Sequence, residues 1–400
     1  MSSVTDFLDS NNNILYGSFG DACILPSGEV ALCTWHSGSL GVTPYTQSYG
    51  GIVLNPETGE SKTLFMPNGE SLIPTTDVTE SLENYSGICI TRTSTPTKIG
   101  LTLIPHWTVK QAVWIEYILS TSRGLEFYLE GLWGKGNNQT FYNPPNDPTS
   151  LNDGTFGGGV TLIDGRVLMW IASEFNSFVQ PVYALKGIIY DPEINLWYWT
   201  QADITSNRHA RTAQLLSDGK AVIFGGAGTP KIYDPVSDCS IDVGGIAAGL
   251  YTRCCCLHPD SGLLYFNGKF NGNSYLYAFD PSSNQFFQYA RAAEDDLYPY
   301  NSMQPLPSGN SEIDRVILFP GDNAAVTTPK IVEFNKTTET FTYAVDTTDV
   351  GYGYSSSVYS LSGKILLVPS LHGISFKLYT PEQAYAWDKQ IATSLYMGSK

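Results

Sequence analysis

Basic residues are scarce in this chain: 22 Lys and Arg stand against 38 Asp and Glu, and charged residues make up only 15% of 400 positions. The formal net charge of −16 argues against a nucleic-acid surface, which needs clustered Lys and Arg. The charge is also too dilute for a disordered acidic tail. The surface must be polar through Ser, Thr, Asn, Gly and Tyr, which suits contacts made by hydrogen bonds and aromatic faces. No apolar run approaches the length that spans a bilayer. The segment Met1–Asp9 lacks the basic region and apolar core of a secretory signal, so synthesis in the cytoplasm without export is expected. Seven cysteines, an odd number at 23, 33, 89, 239, 254, 255 and 256, follow no disulfide framework and read as free thiols. Neighbours within Cys254–Cys256 point to opposite faces of a strand, so they form no single ligand set and read as buried structural residues. Apolar spacing of three and four is missing over any long stretch, which excludes a substantial helix.

What is present is a unit that returns. Leu162-Ile-Asp-Gly-Arg-Val-Leu-Met-Trp170 is followed by Gly187-Ile-Ile-Tyr-Asp-Pro192 and Asn195-Leu-Trp-Tyr-Trp199. Ser217-Asp-Gly-Lys220, Val222-Ile-Phe-Gly-Gly226 and Lys231-Ile-Tyr-Asp-Pro235 repeat that order, as do Leu276-Tyr-Ala-Phe-Asp-Pro281 and Ser362-Gly-Lys-Ile-Leu-Leu-Val368 in part. The Asp-Pro turn and its variants begin at Asn55, Asp191, Asp234, Asp280, Asn335 and Thr380, the last four intervals being 43, 46, 55 and 45 residues. The gap from Asn55 to Asp191 leaves room for two longer units, with the missing turn near Ser120–Gly124 between strand-like runs at 112–119 and 125–129. That makes seven units. Each reads as four short strands: an Asp-Gly hairpin whose glycine permits positive φ, then a turn in which Pro ends strand pairing, then an aromatic strand.

Four-stranded units of 40–50 residues are the blades of a β-propeller. The chain is therefore expected to be all-β: a seven-bladed β-propeller of four-stranded antiparallel blades over residues 14–400, with 1–13 as an N-terminal tail. The blades are placed at about 20–70, 84–134, 155–204, 209–245, 250–290, 299–346 and 353–400. The segment Ile14–Phe19 is expected to close the ring by pairing with the last blade near Tyr385–Trp387 or Ile391–Tyr396. The order of hairpin, Gly225-Gly226, Tyr-Asp-Pro and Trp resembles Kelch repeats over blades three to seven. The resemblance implies the fold; propellers host many unrelated activities.

Candidate functional residues lie in the loops. His36, His106, His209 and His372 fall on one face, in separate blades, and His258 in a hairpin on the other. A zinc–imidazole bond is only ~2.0–2.1 Å, so loop residues on different blades make a poor ligand set, and neither metal nor cofactor is expected. Asp295, Asp296, Asp314 and Asp322 are single carboxylates that nothing in the sequence brings together. No His-x-x-x-His pair, nucleophile elbow or phosphate-cradling glycine loop is present. Ser217–Ile223 lacks the aromatic that a sialidase Asp box requires, and Gly157–Gly159 reads as a turn before a strand. The segments Gly131–Gly159 and Ser37–Tyr49 are long, and Trp133, Tyr142 and Tyr45 within them are the candidate partner-binding residues.

These features point to a non-enzymatic structural and binding propeller. The Lys-poor, Tyr- and Asn-rich texture resembles propellers carried as parts of bacteriophage and other virions. That resemblance implies a capsid- or tail-associated component, made in the host cytoplasm, meeting other virion proteins or a host-surface molecule, without nucleic-acid binding or membrane insertion and able to recur as a homo-oligomer in an assembly. The alternatives are a sugar-active or oxidoreductase propeller enzyme and a cytoplasmic Kelch-like adaptor.

Overall fold

The computed structural model describes residues 2–383 except 17–18, 26–27, 35–50, 64–84, 93–97, 106–112, 120–126, 129–133, 136–155, 172–185, 192–195, 206–211, 225–228, 245–250, 271–272, 290–299, 322 and 371–372. The described residues are strands and turns. A short strand β1 (Ser3–Asp6) comes first, followed by β2 (Phe19–Ile24), β3 (Val30–Thr34), β4 (Gly51–Leu54) and β5 (Ser61–Thr63), which make one antiparallel sheet in that order. The next sheet holds β6 (Tyr85–Arg92), β7 (Lys98–Pro105) and β8 (Val113–Leu119), with β9 (Phe127–Tyr128) and β10 (Gly134–Lys135) both paired to β8. The turn expected near 120–124 lies outside the described residues, but Leu119 pairs with Phe127, so the chain reverses between them.

The sheets that follow are regular. They are β11 (Phe156–Thr161) to β14 (Leu196–Asp203) through β12 (Val167–Ile171) and β13 (Lys186–Asp191), then β15 (Thr212–Leu215), β16 (Ala221–Phe224), β17 (Lys231–Asp234) and β18 (Cys239–Asp242). After these come β19 (Tyr251–Leu257), β20 (Leu264–Phe270), β21 (Asn273–Asp280) and β22 (Gln285–Tyr289). The sixth set is β23 (Tyr300–Leu306), β24 (Ile313–Pro320), β25 (Lys330–Asn335) and β26 (Thr340–Val345). The last sheet runs β27 (Tyr354–Tyr359), β28 (Ile365–Pro369), β29 (Lys377–Thr380) and then β1. Seven sheets thus arise, and their first strands touch in succession from β2 through β6, β11, β15, β19, β23 and β27 back to β2. The chain is an all-β propeller with four-stranded antiparallel blades, one strand of every blade facing the axis.

Among the described residues there is no central core. Each apolar cluster fills the seam between two successive blades. Leu162, Leu168, Trp170 and Ile189 meet Ala221, Ile223 and Tyr233, and Val222, Phe224 and Ile232 meet Leu264, Phe266 and Phe279. Val30, Leu32, Ile52 and Leu54 of the first blade meet Val358, Leu366 and Val368 of the last. Consecutive strand residues serve opposite seams, which is why Val167–Trp170 and Ile365–Val368 are buried without interruption. Each such side chain contributes roughly 1.5–3 kcal/mol by leaving water. Tyr190, Tyr233, Tyr265, Tyr300, Tyr354, Tyr359 and Tyr379 are all buried, so much of the tyrosine content is seam packing.

Two kinds of turn account for the repeat. In the first hairpin of a blade, Gly28, Gly165, Gly219 and Gly363 have φ between +81° and +92°. Asp164 and Asp218 do not have positive φ, so these are three-residue turns with one left-handed glycine, not two-residue turns with two left-handed residues. In the Asp-Pro turn, Asp234 Oδ1 accepts from Val236 N at 2.9 Å, Asp280 Oδ1 from Ser282 N at 2.9 Å and Asn55 Oδ1 from Glu57 N at 2.9 Å. The fifth residue of these turns is left-handed: Gly59, Asp238, Asn284 and Glu339.

Closure differs from the sequence expectation. The N-terminal residues do tie the ring shut, but the strand is Ser3–Asp6, inside the segment read as a tail. It pairs with Lys377–Thr380 as the outermost strand of the last blade. Ile14 bridges back to Leu8 and Tyr16 bridges Ser375, while Phe19 opens β2. Residues 384–400, the expected partners, lie outside the described residues. The physical reason is the alternation in Ser-Val-Thr-Asp: Val4 packs on the seam that holds Leu367 and Tyr379, while Asp6 reaches Lys377 and Ser375.

Candidate functional site: the bulged mouth of the ring

Every first strand starts on the face where its second strand ends, and here the ladders share an irregularity. The register slips between Phe19 and Asp21, Tyr85 and Gly87, Phe156 and Gly158, Thr252 and Cys254, Tyr300 and Ser302, and Tyr354 and Ser356. Six blades therefore carry a β-bulge at one level, with Gly20, Ser86, Gly157, Arg253, Asn301 and Ser355 as the extra residues. A bulge leaves one residue out of the ladder and re-aims its side chain. The mouth of the axis is thus ringed by residues that no ladder holds.

Two of these residues meet across a seam. Arg253 Nη1 donates to Asn301 Oδ1 at 3.0 Å. Asn301 in turn lies over Gly321, where an added Cβ would sit 2.2 Å from the Asn301 amide. Gly353 N donates to Gly321 O at 2.7 Å and Ser370 N to Gly353 O at 2.7 Å, which knits blades six and seven at the same level. Ser355 Oγ donates to Val368 O at 3.3 Å within its own blade. Below Arg253, the fully buried Asn267 accepts from Cys254 N at 3.1 Å and donates to Tyr300 O at 2.9 Å. One amide thereby satisfies the backbone freed by the bulge and links blade five to blade six. Thr252 Oγ1 is buried beside it without a hydrogen-bond partner.

The long connections open on this face. Thr34 pairs with Phe19, so the link 35–50 leaves from the bulged end, and the link 136–155 enters it at Phe156. Trp133, Tyr142 and Tyr45 lie outside the described residues, as do His36, His106, His209, His372, Asp295, Asp296, Asp322 and the Gly225-Gly226 doublet. The bulge pair Arg253–Asn301 escaped sequence reasoning. The signal was an aromatic or Thr followed by two small or polar residues at the head of the first strand, as in Tyr300-Asn-Ser, Tyr354-Ser-Ser and Phe156-Gly-Gly.

The opposite face carries a second polar cluster. His258 lies in the first hairpin of blade five, as expected from the sequence, and is 1% exposed, as is Asp314 of blade six. Asp314 Oδ2 accepts from Tyr265 Oη at 2.9 Å and from Ser261 Oγ, and Oδ1 accepts from Lys336 Nζ at 3.0 Å. Burial pushes the His258 imidazole below its ordinary value, with Asp314 and Asp260 opposing and Lys336 adding to the effect. Burial raises the thiols of Cys254–Cys256, that of Cys255 to about 11, so none is a ready nucleophile. Among the described residues there is no group of three or more His, Cys, Asp or Glu that could hold a metal ion.

No protein-family model matches the chain and no curated protein matches it. Solved structures do. An oligogalacturonate lyase in complex with manganese is similar over 95% of this chain and 93% of its own, with TM-score 0.53 and 11% identity. A chain of the mitotic checkpoint complex matches over 95% and 91%, with TM-score 0.51 and 11% identity. The extracellular domain of the putative hybrid two-component system BT3049 from B. thetaiotaomicron matches over 96% of this chain at TM-score 0.52 and 10% identity, this chain spanning 42% of that one. At these identities the likeness is one of fold, to propellers that include enzymes and non-enzymes.

Proposed function

We propose that this chain is a non-enzymatic binding propeller whose bulged face receives a partner. The observation that carries the reading is the division of labour between the two faces. On one, the turns are short and spend their hydrogen bonds internally: Gly28 N on Leu25 O at 2.8 Å, Gly165 N on Leu162 O at 2.9 Å, Gly219 N on Leu216 O at 3.0 Å. On the other, the links 35–50, 136–155 and 172–185 join strand ends around the ring mouth. Trp133, Tyr142 and Tyr45 belong to or border those links and supply aromatic area at low entropic cost. The Lys-poor, Tyr- and Asn-rich composition is the support for a place in a virion, at capsid or tail.

Cross-linking from a photoreactive residue at 142, compared with one at 218 on the short-turn face, tests this in the producing cell. A partner captured from 142, lost in Trp133→Ala and absent from 218, is the expected result. Equal capture from both positions overturns it. Mass spectrometry of purified particles tests the virion assignment. The manganese-bound lyase of the same fold favours a second reading, a sugar-active enzyme; one tightly held transition metal per chain would support that reading against the first.

A further inference from the structure

We propose that Asp314 and Lys336 condense to an isopeptide bond, so that the folded chain carries a side-chain amide between β24 and the end of β25.

Two residues of blade six break the pattern of the repeat. Across the middle two strands, five other blades pair a fully buried apolar residue with the one that precedes the Asp-Pro turn or its variant. The pairs are Val30 with Leu54, Val167 with Tyr190, Ala221 with Tyr233, Leu264 with Phe279 and Ile365 with Tyr379. Two residues beyond each partner stands a proline, at 56, 192, 235, 281 and 381. In blade six the pair is Asp314 with Phe334, and Lys336 takes the proline position. An acid and an amine thus replace an apolar residue and a proline, and they meet, with Nζ 3.0 Å from Oδ1. The backbone holds the amine in place. Lys336 N donates to Glu312 O at 2.9 Å, and Asn335 Oδ1 accepts from Thr337 N and Thr338 N, each at 3.0 Å. The Asp314 side chain is 1% exposed and that of Lys336 28%.

The neighbours are those that an acyl transfer needs. Oδ2 accepts from Tyr265 Oη at 2.9 Å and from Ser261 Oγ, both of blade five. The oxygen that gathers negative charge when Nζ adds to Cγ is therefore held by two donors. Oδ1 is the leaving oxygen. The hydrogen bond from Nζ passes it one proton, which turns ammonium and carboxylate into amine and acid. His258 Nδ1 stands 3.7 Å from the same oxygen. Its Nε2, 3.4 Å from Leu306 O, faces an acceptor and carries the hydrogen, while burial holds the ring below its ordinary value, so Nδ1 is a base at neutral pH. It relays the second proton from the nitrogen to Oδ1. The Nζ–Cγ bond forms, the Cγ–Oδ1 bond breaks, one hydrogen stays on nitrogen and one water leaves along the Lys336 stem. Nothing is oxidised or reduced. Fixed contact replaces an encounter in solution, and burial of Cγ keeps water from reversing the step.

Mass spectrometry reads the bond. After prolonged incubation at mildly alkaline pH, the folded protein should be lighter than its sequence by one water. A tryptic digest should then hold a species joining residues 292–315 to 331–364, because trypsin no longer cuts at an amidated Lys336. Lys336→Arg should keep its full mass. Full mass in the folded wild type, or a water loss that persists in Lys336→Arg, overturns the proposal. Should that variant fail to fold, fragment spectra of the wild type decide: a water loss carried by an unbranched peptide overturns it equally.

Discussion

Glu339 adopts φ of +55° at a turn position that sister blades fill with Gly59, Asp238 or Asn284. A left-handed residue with a Cβ costs roughly 1–2 kcal/mol, and Glu has no local hydrogen bond that compensates as Asn has. Glu339→Asn or Glu339→Gly should raise stability by up to about 1 kcal/mol, read as a higher urea midpoint at unchanged slope. Gly59 is the opposite case. Its φ is +75° and an added Cβ would lie 2.3 Å from the Leu8 carbonyl oxygen. Gly59→Ala must strain the turn and push away the N-terminal segment, so the same measurement should show a loss of more than about 1 kcal/mol. Asn267 illustrates a buried residue with several duties. Asn267→Ala would remove the acceptor of Cys254 N and one donor to Tyr300 O, and an unsatisfied buried group costs ~1–3 kcal/mol.

Among the elements, β1 has the largest consequence for its length. Its four residues cover β29, which would otherwise be an open edge inviting other strands. Its anchor is Asp346, 8% exposed, which accepts from Ser2 Oγ at 2.6 Å, from Thr348 N at 2.8 Å and from Tyr379 Oη. Burial works to raise this carboxyl, but the hydrogen bonds from Ser2, Thr348 and Tyr379 outweigh it and hold it below its ordinary 3.8. A depressed carboxyl stabilises above its ordinary value and loses that contribution as pH falls through the folded value. The clasp should therefore weaken only in acid below the ordinary carboxylate range. Melting curves of wild type and Asp346→Asn should differ at pH 6 and draw together as pH falls below the ordinary 3.8. Deleting residues 1–8 should lower the melting temperature at neutral pH and promote association; an unchanged melting temperature would remove β1 as the clasp.

At the scale of the whole molecule, stability is distributed over seams, and the proposed contact lies where the seams do not constrain the chain. Trp133→Ala and Tyr142→Ala should leave the melting temperature unchanged while weakening partner binding by at least about 2 kcal/mol, on the order of thirtyfold in Kd. Unaltered affinity, with the fold intact, would place the contact on the short-turn face or the outer strands. The fold likeness spans nearly the full length of a lyase and of a checkpoint-complex chain at 11% identity, as expected of an architecture that fixes strands and frees loops.

The sequence alone determined the repeat, because a turn must be chemically explicit. Asp-Gly and Asp-Pro dictate backbone angles locally, so hairpins, blade spacing and the all-β class are legible without any tertiary contact. It also marked Cys254–Cys256 as structural, since strand alternation settles which faces they serve. The tertiary structure decided everything that depends on two blades meeting. Ser3–Asp6 reads as a tail because four residues of strand carry little signal; only the uncovered edge of β29 makes them a blade strand. The bulges escaped because a register slip is a property of a pair of strands. Asp314 reads as a single carboxylate that nothing in the sequence brings to a partner, and His258 as a hairpin histidine. Both are buried because hairpins from neighbouring blades close over them, and in a propeller neighbours are set by ring geometry rather than by the local chain.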